Sequence, residues 1–418
     1  MREAVVVDGV RTPFGRAGRR GIFRAISHVD LMVPLLKEII RRNNLDPHDI
    51  DEVHMGSVHL ASRATKARTY MMEAGLPDSI WGTDVNTQCA SALQTTVEAC
   101  QCVACGGADI IVAGGIETMD RMGVVPPEEA AGKPAPPRVF AGPTPAITDT
   151  PYPPDWKDAE LLPWWFELKD QRLMNMLWTA ENLHSRFNIT RQEADEWALR
   201  SQLAAVAAQD AGYFDTEIMP VTINYKDGSS ETIAKDQGPR RETNLEALSQ
   251  LRPIMKEDGF VTAGNSCPRN DGGTLVLITT KQIAKERGWL PLLTYRHSAT
   301  TGVDPYVMGV GPRWATEKLL KRTGLKLEDF DVIEINEAFA CVINYWIREL
   351  KAPGKVVERI NRWGGAIALG HPLGASGARL VMTAGFQLRQ NGGRRALTTL
   401  CQGSGMGYAA AWEREDYW

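Results

Sequence analysis

What this sequence lacks narrows it first. No apolar run in its 418 residues approaches the roughly 20 needed to cross a bilayer. Positive charge is not in excess: 47 lysines and arginines stand against 51 aspartates and glutamates, for a net charge of −4. A chain so balanced has no broad basic field to hold nucleic acid or an anionic membrane. The strand-like run at 4–7 (AVVV) starts almost at once, which argues against a signal or transit peptide. The seven cysteines are an odd number, which argues against a disulfide framework. A cytoplasmic protein with free thiols is the expectation. The length also excludes one simple core and suggests two or three packed units.

What is present begins with alternating strands and helices. Residues 4–9 (AVVVDG), 52–58 (EVHMGSV) and 108–115 (ADIIVAGG) read as strands, and 28–43 has helical apolar spacing. Strands separated by helices imply a mostly parallel, covered sheet. A similar pattern returns later. LDPHDIDEV at 45–53 lines up with LKLEDFDVI at 325–333, and DIIVAGGIETM at 109–119 resembles ALTTLCQGSGM at 396–406. Two halves of one duplicated α/β unit explain both pairs. Between the halves, residues 121–160 are rich in Pro, Ala and Gly, and residues 170–212 read as helices with Trp197, Leu199, Leu203 and Val206 as core. The aromatics Trp156, Trp164, Trp165, Phe166 and Trp178 suggest an ordered lid rather than a disordered linker. One basic run stands out, Arg16 to Arg20 (RAGRR). A phosphate-bearing ligand and a solvated loop are equal readings of it.

Four cysteines fall in QCASALQTTVEACQCVACGG at 88–107. Cys89 sits near a helix N-terminus, where backbone N–H groups and the helix dipole favour a thiolate. Cys100, Cys102 and Cys105 have no nearby fourth ligand for a metal and are expected to pack at the helix end. In GGAIALGHPLGASGAR (364–379), His371 is set between glycine-rich turns. In INEAFA (335–340), Asn336 and Glu337 stand where strand becomes helix, a place for side chains that point into a cleft, or for a cap by Asn336. In CQGSGMG (401–407), Cys401 closes the last strand, and glycines after it can aim bare N–H groups at an oxyanion. Two cysteines, a histidine, an asparagine and glycine loops make a nucleophile, a base and oxyanion binders.

These stretches resemble the thiolase family over essentially the whole chain. RTPFG, CAS, AGGIETM, TAEN, EALSQLRP, GFVTAGNS, GVDPYVMGVGP, NEAFA, GGAIALGHPLGASGAR and CQGSGMG carry the resemblance. It implies an α/β fold of thiolase-like five-layered αβαβα architecture, built from two duplicated halves with an inserted loop domain. The halves would be 1–120 plus about 245–280, and 281–418, with the loop domain at 121–244. By resemblance, Cys89 is the nucleophile that becomes acylated, His371 its base and Cys401 a second acid/base. Asn336 would hold a water that joins His371 in one oxyanion hole, and the N–H groups of Cys89 and Gly403 would form the other. Ser266, Cys267, Arg241 and Met176 would contact CoA. CoA is a co-substrate, with no metal and no permanently bound cofactor. A homodimer or homotetramer is expected, and an accessory subunit is left open. The reaction implied is CoA-dependent thiolysis of a 3-oxoacyl-CoA through an acyl-cysteine, reversible as a Claisen condensation.

The sequence departs from the family at Met176-Leu177-Trp178, at Asn265-Ser266-Cys267-Pro268, at Trp363, and in having no histidine between His59 and His184. The extra tryptophans point to a bulky, branched or aromatic acyl chain, or else simply pack the loop domain. Three other readings are a ketosynthase-like condensing enzyme, a non-catalytic subunit that binds acyl-CoA, and a metal module built on Cys100, Cys102 and Cys105.

Overall fold

β1 (Ala4–Arg11) shows how the strands are buried. Val5, Val7 and Val10 enter one hydrophobic cluster, while Ala4 and Val6 enter another on the opposite face. Period-2 alternation with both faces apolar marks a strand covered on both sides. The structure is a computed structural model that describes residues 2–18, 20–60, 65–119, 175–225 and 227–415. The proline-rich excursion at 121–160 and Trp156, Trp164, Trp165 and Phe166 lie outside the described residues.

The strands that follow are β2 (Gly15–Arg16), β3 (Glu52–Gly56), β4 (Trp81–Val85), β5 (Ile110–Thr118), β6 (Val221–Asn224), β7 (Ser230–Ile233), β8 (Asn270–Thr280), β9 (Leu293–Gly302), β10 (Val332–Ile335), β11 (Arg395–Gln402) and β12 (Met406–Glu413). The helices are α1 (His28–Arg42), α2 (Lys66–Ala74), α3 (Ser91–Cys105), α4 (Met176–Phe187), α5 (Arg191–Asp210), α6 (Leu245–Ser249), α7 (Lys281–Glu286), α8 (Gly311–Thr323), α9 (Ala340–Glu349), α10 (Gly354–Val357), α11 (Ala366–Leu369) and α12 (Ser376–Asn391). Local chemistry starts them as expected. Ser27 and Asp30 form a capping box at α1, and Thr190 and Glu193 form one at α5.

The large sheet runs β10-β11-β12-β9-β1-β8-β5-β3-β4, with β2 also on β8. Its two halves meet through a short pairing, Val5 with Thr294 and Val6 with Leu293. α3 and α12 pack on each other between the halves, and each touches strands of both. α1, α2 and α7 cover the outer face of the N-terminal strands, and α8 and α9 cover the C-terminal ones. Helices, strands, helices, strands, helices: these are five layers. The expected mostly parallel sheet is corrected to a mixed one. Among the strands of the described residues only β3–β4, β3–β5 and β10–β11 run parallel, because β8 and β12 return antiparallel beside β5 and β11.

The duplication is visible down to single bonds. The Asp51 carboxylate accepts the N–H groups of Asp109 and Ile110. Its counterpart Asp331 accepts those of Arg394 and Arg395. Each aspartate follows a short 3-10 turn, Pro47–Asp49 in one half and Leu327–Asp329 in the other.

α5 corrects one expectation. Trp197 is buried and Leu199 partly so, but Leu203 is exposed and the row facing inward is Ala194, Ala198, Ser201, Ala205 and Ala208. Small residues are needed there because the chain comes very close. A Cβ on Gly364, whose φ is +80, would meet the Ala205 Cβ at 2.5 Å. α5 therefore lies directly against the segment that leads to His371.

Candidate active site

Cys89 is placed by a tight turn between β4 and α3. Asn86 Oδ1 accepts the Gln88 N–H, and Gln88 adopts φ +56, a left-handed conformation that throws the chain sharply into the helix. Ser91 Oγ accepts the Thr87 N–H at 3.0 Å and donates to Gln88 O at 2.7 Å. The loop after β11 closes over this turn. Gln402 Nε2 donates to Thr87 O at 2.8 Å, and the Gly403 N–H donates to the Cys89 sulfur, as does the N–H of Cys89 itself. The helix N-terminus was expected to favour a thiolate. Burial instead pushes the thiol up to about 11, because desolvation of the anion outweighs the two amides. Cys89 therefore rests as a thiol and needs a base.

His371 is held from three sides. Asn270 Oδ1 accepts its backbone N–H at 2.9 Å, and Asn270 Nδ2 donates to Gly15 O. Gly370, at φ +114, brings the backbone so near that a Cβ would meet the Asn270 side chain at 2.6 Å. The ring Nδ1 lies 2.6 Å from Ser376 Oγ, and Ser376 Oγ donates to Pro372 O at 2.8 Å. A hydroxyl has one proton, so Ser376 must accept from His371, which puts the ring proton on Nδ1. Nε2 is then the bare nitrogen, 3.3 Å from Asn336 Nδ2. Burial and then the charge of Arg379 push the imidazole down to about 3, so it stays neutral and able to take a proton. Asn336 is fully buried, and its Oδ1 has no hydrogen-bond partner among the described residues. A buried acceptor left open beside the ring is a seat for water.

Cys401 lies fully buried at the end of β11, which is not the last strand, since β12 follows after a turn through Ser404 and Gly405 at positive φ. Burial raises its thiol, and the nearby Cys89 and Cys267 add to the effect. The 265–267 segment reaches this place by pairing with 338–340. The Cys267 N–H donates to Ala338 O and the Ala340 N–H to Asn265 O. Cys267 is partly exposed, although its sulfur is enclosed enough for burial to raise its thiol. Ser266 turns its hydroxyl away to Thr262 O at 2.7 Å. Met176 packs at the start of α4 against the cluster that contains Cys401 and Phe339. Arg241 is at the surface, with its guanidinium taken by Asp210. The structure thus brings Cys89, Gly403, His371, Asn336, Cys401 and Cys267 together and leaves Arg241 apart.

Several expectations are corrected. Glu337 does not point into a cleft. It is fully buried and accepts from Trp197, Ser201, Asn361 and the Ile367 N–H, which ties α5 to the loop before His371. Asn336 is not a helix cap, because α9 starts at Ala340. Trp363 packs against Tyr213 and Phe214, with centroids at 5.0 and 5.9 Å. Of the late cysteines Cys100 is buried and Cys102 partly so, but Cys105 is exposed rather than packed, because their spacing scatters them around the helix. Sequence reasoning missed Ser376, Asn270 and Glu117. The Glu117 carboxylate accepts the N–H groups of Val58, His59 and Gly374 at 3.0, 3.0 and 3.1 Å. It fastens the loop after β3 to the loop carrying His371. Burial raises it to about 7 against the pull of those amides. A glutamate between apolar strand residues and a serine opening a glycine-rich helix were the available signals. No helix among the described residues is long and apolar enough to cross a membrane.

Comparison with known proteins adds the following. The family model of the thiolase N-terminal domain matches residues 4–282, and that of the thiolase C-terminal domain matches 290–414. A beta-ketoadipyl-CoA thiolase of Pseudomonas aeruginosa is 39% identical over 419 residues, covering 99% of each chain. A 3-oxoadipyl-CoA/3-oxo-5,6-dehydrosuberyl-CoA thiolase of Escherichia coli is 38% identical over 417 residues, covering 99% of this chain and 100% of its own. Among solved structures, an acetyl-CoA acetyltransferase of Bacillus anthracis superposes with a TM-score of 0.84 at 32% identity, and human mitochondrial 3-ketoacyl-CoA thiolase with 0.82 at 33%, each covering 99% of both chains.

Proposed function

The chain belongs to the thiolase family and is an acyltransferase, and from that premise we propose that it cleaves a 3-oxoacyl-CoA with CoA through an acyl group on Cys89. The supporting observation is the meeting of a neutral imidazole, two thiols and aimed amides where the two halves touch. His371 Nε2 takes the Cys89 proton as the sulfur attacks the 3-keto carbon. The oxyanion is held by donors set for it, the N–H groups of Cys89 and Gly403 or the protonated ring with an Asn336-held water. The bond from C3 to C2 breaks, its electron pair stays on C2, and Cys401 supplies the proton that makes acetyl-CoA. The Cys401 thiolate then takes the proton of the incoming CoA thiol, CoA removes the acyl group, and His371 returns its proton to Cys89. Ser266, Cys267 and Met176 are read as contacts of the pantetheine arm.

The acyl group, in this reading, is larger than acetoacetyl and of a bulky, branched or aromatic kind. Trp178, half-buried in the first turn of α4, supports it, and Trp363 no longer does. The relatives named for 3-oxoadipyl substrates also act on acyl chains longer than acetoacetyl.

The test separates the two thiols. Intact mass after exposure to an acyl-CoA panel should show an adduct that maps to Cys89 and is absent in Cys89→Ala. Cys401→Ala should still accept that acyl group, since no carbon–carbon bond is involved, yet lose thiolysis by roughly a hundredfold or more. Wild-type thiolysis rates in Cys401→Ala would remove its role, and acetoacetyl-CoA as clearly the best substrate would remove the bulky acyl chain.

A further inference from the structure

The helix that follows His371 carries a polar stripe through the middle of the molecule. Residues 376–388 of α12 are all buried, yet Arg379, Thr383 and Gln387 fall four residues apart on one face. The chemistry above uses none of them. Arg379 is 1% exposed, and its Nη1 donates to Glu334 Oε2 at 2.7 Å. Gln387 Nε2 donates to the other oxygen, Oε1, also at 2.7 Å. Glu334 is fully buried, so both of its oxygens are held from α12. The Arg379 Nε and Nη2 have no partner among the described residues, which leaves the direct hold of this guanidinium on Glu334.

A buried charged pair is a poor source of stability. Taking the charges out of water costs about as much as their attraction returns, and apolar side chains of comparable volume commonly serve as well. What such a pair does well is keep two elements in register. Glu334 and Asn336 stand two residues apart at the end of β10, both fully buried, so strand alternation turns them to one face. Ser376 and Arg379 stand three apart at the start of α12, on one face of its first turn. Strand end and helix start are therefore joined by two rungs. One is catalytic: Asn336 Nδ2 lies 3.3 Å from His371 Nε2, and Ser376 Oγ holds the same ring at 2.6 Å. The Asn336 contact is long, lies between neutral groups and cannot fix its own length. The other rung is Arg379 on Glu334, with Gln387 as a second hand. A charge-assisted bond in a dry interior is short and stiff. Arg379 also brings a positive charge near the ring, which disfavours a second one there.

We propose that Arg379, acting through Glu334, is a positioning residue that sets the spacing between His371 and Asn336, and with it the oxyanion hole those two residues build. The role rests on the thiolase reading of the catalytic centre. Arg379 and Glu334 touch no substrate. They hold the helix that fixes the ring against the strand that ends in the amide.

The test separates positioning from stability. The double variant Arg379→Met/Glu334→Met replaces the pair by uncharged side chains of comparable volume and should melt close to the wild type. Its kcat for thiolysis should still fall about thirtyfold, with KM for the acyl-CoA within about twofold, because substrate binding does not use the rung. A pair that only stabilises would return activity together with stability, so wild-type kcat in the folded double variant overturns the proposal. Glu334→Gln keeps the shape. Gln387 Oε1, which has no partner among the described residues, can turn to accept the new amide N–H. In this variant kcat should stay within about threefold of wild type. A loss as deep as that of the double variant would mean that the ring needs the charge and not the spacing, and overturns the positioning role. Where the double variant does not fold, Gln387→Leu decides. It removes one of the two bonds to Glu334, leaves Arg379 paired, and should lower kcat about threefold at constant KM. An unchanged kcat there overturns the proposal. Failure of the thiolase reading looks different, since the wild type would then neither acylate Cys89 nor cleave a 3-oxoacyl-CoA.

Discussion

At the scale of single residues, the site consists of groups kept neutral. Burial holds Cys89 up at about 11 and His371 down at about 3, so neither titrates between pH 5 and 9. A bend in the rate profile near neutrality would therefore come from neither of them, and Glu117, raised to about 7 and bonded to the loop that carries His371, is placed to produce one. Ser376 sets which ring nitrogen is bare. Ser376→Ala leaves a buried Nδ1–H without an acceptor, worth about 1–3 kcal/mol, and frees the ring to take the other tautomer. We expect kcat to fall about tenfold or more while KM for CoA stays put. An unaltered kcat would deny Ser376 this role. Much of the residue list was legible in the motifs, because nucleophile, base and amide donors leave recognisable neighbours. The protonation states were not, since they depend on desolvation, which sequence spacing does not reveal. Nor was the direction of Glu337, which turns inward because α5, a distant part of the chain, supplies its donors.

At the scale of elements, the site depends on how closely two helices approach. α3 carries Cys89 at its start, and α12 begins just past His371. Their contact requires a bare backbone. A Cβ on Gly377 would meet the Leu93 N at 2.2 Å, with no flexible side chain to give way. Gly377→Ala should force the helices apart, cost about 1–3 kcal/mol of stability and lower activity by a larger factor than that loss implies. Thermal melting and kcat on one preparation would check both, and a variant matching wild type in each would contradict the packing. The helices and repeated strands were legible from apolar periodicity and turn residues. Strand direction was not, because β8 reaches its place between β1 and β5 only after the long insertion, and no local pattern records that pairing. Leu203 misled for a related reason. Helical spacing marks a stripe but not which stripe, and close approach selects alanines over leucines.

At the scale of the whole molecule, buried carboxylates tie stability to pH. Glu117 has a folded-state value near 7, above the 4.5 of an unperturbed glutamate. Between those values the folded chain keeps a proton that the unfolded chain has lost. Its contribution is therefore full below about 4.5 and disappears as pH rises through 7, roughly 3 kcal/mol in all. Glu334 behaves alike, while the depressed imidazole of His371 works in the opposite direction below about pH 6.5, so Glu117→Gln should hold the unfolding free energy at pH 8, relative to pH 5, higher than wild type by roughly 2–3 kcal/mol. A slope equal to wild type would show that Glu117 is ionised throughout. The same residue reveals a consequence of the duplication. Glu117 and Gln402 are each the eighth residue of their strands, β5 and β11, whose first residues are bound by the twin aspartates. One gathers three N–H groups from the loops around the base, and the other gives one N–H to the carbonyl beside the nucleophile. Two identical subunits would have to carry the same residue in both seats. Fusion of the copies into one chain makes the seats separately heritable, so the loops that steer the proton and the loops that steer the thioester can be retuned one at a time.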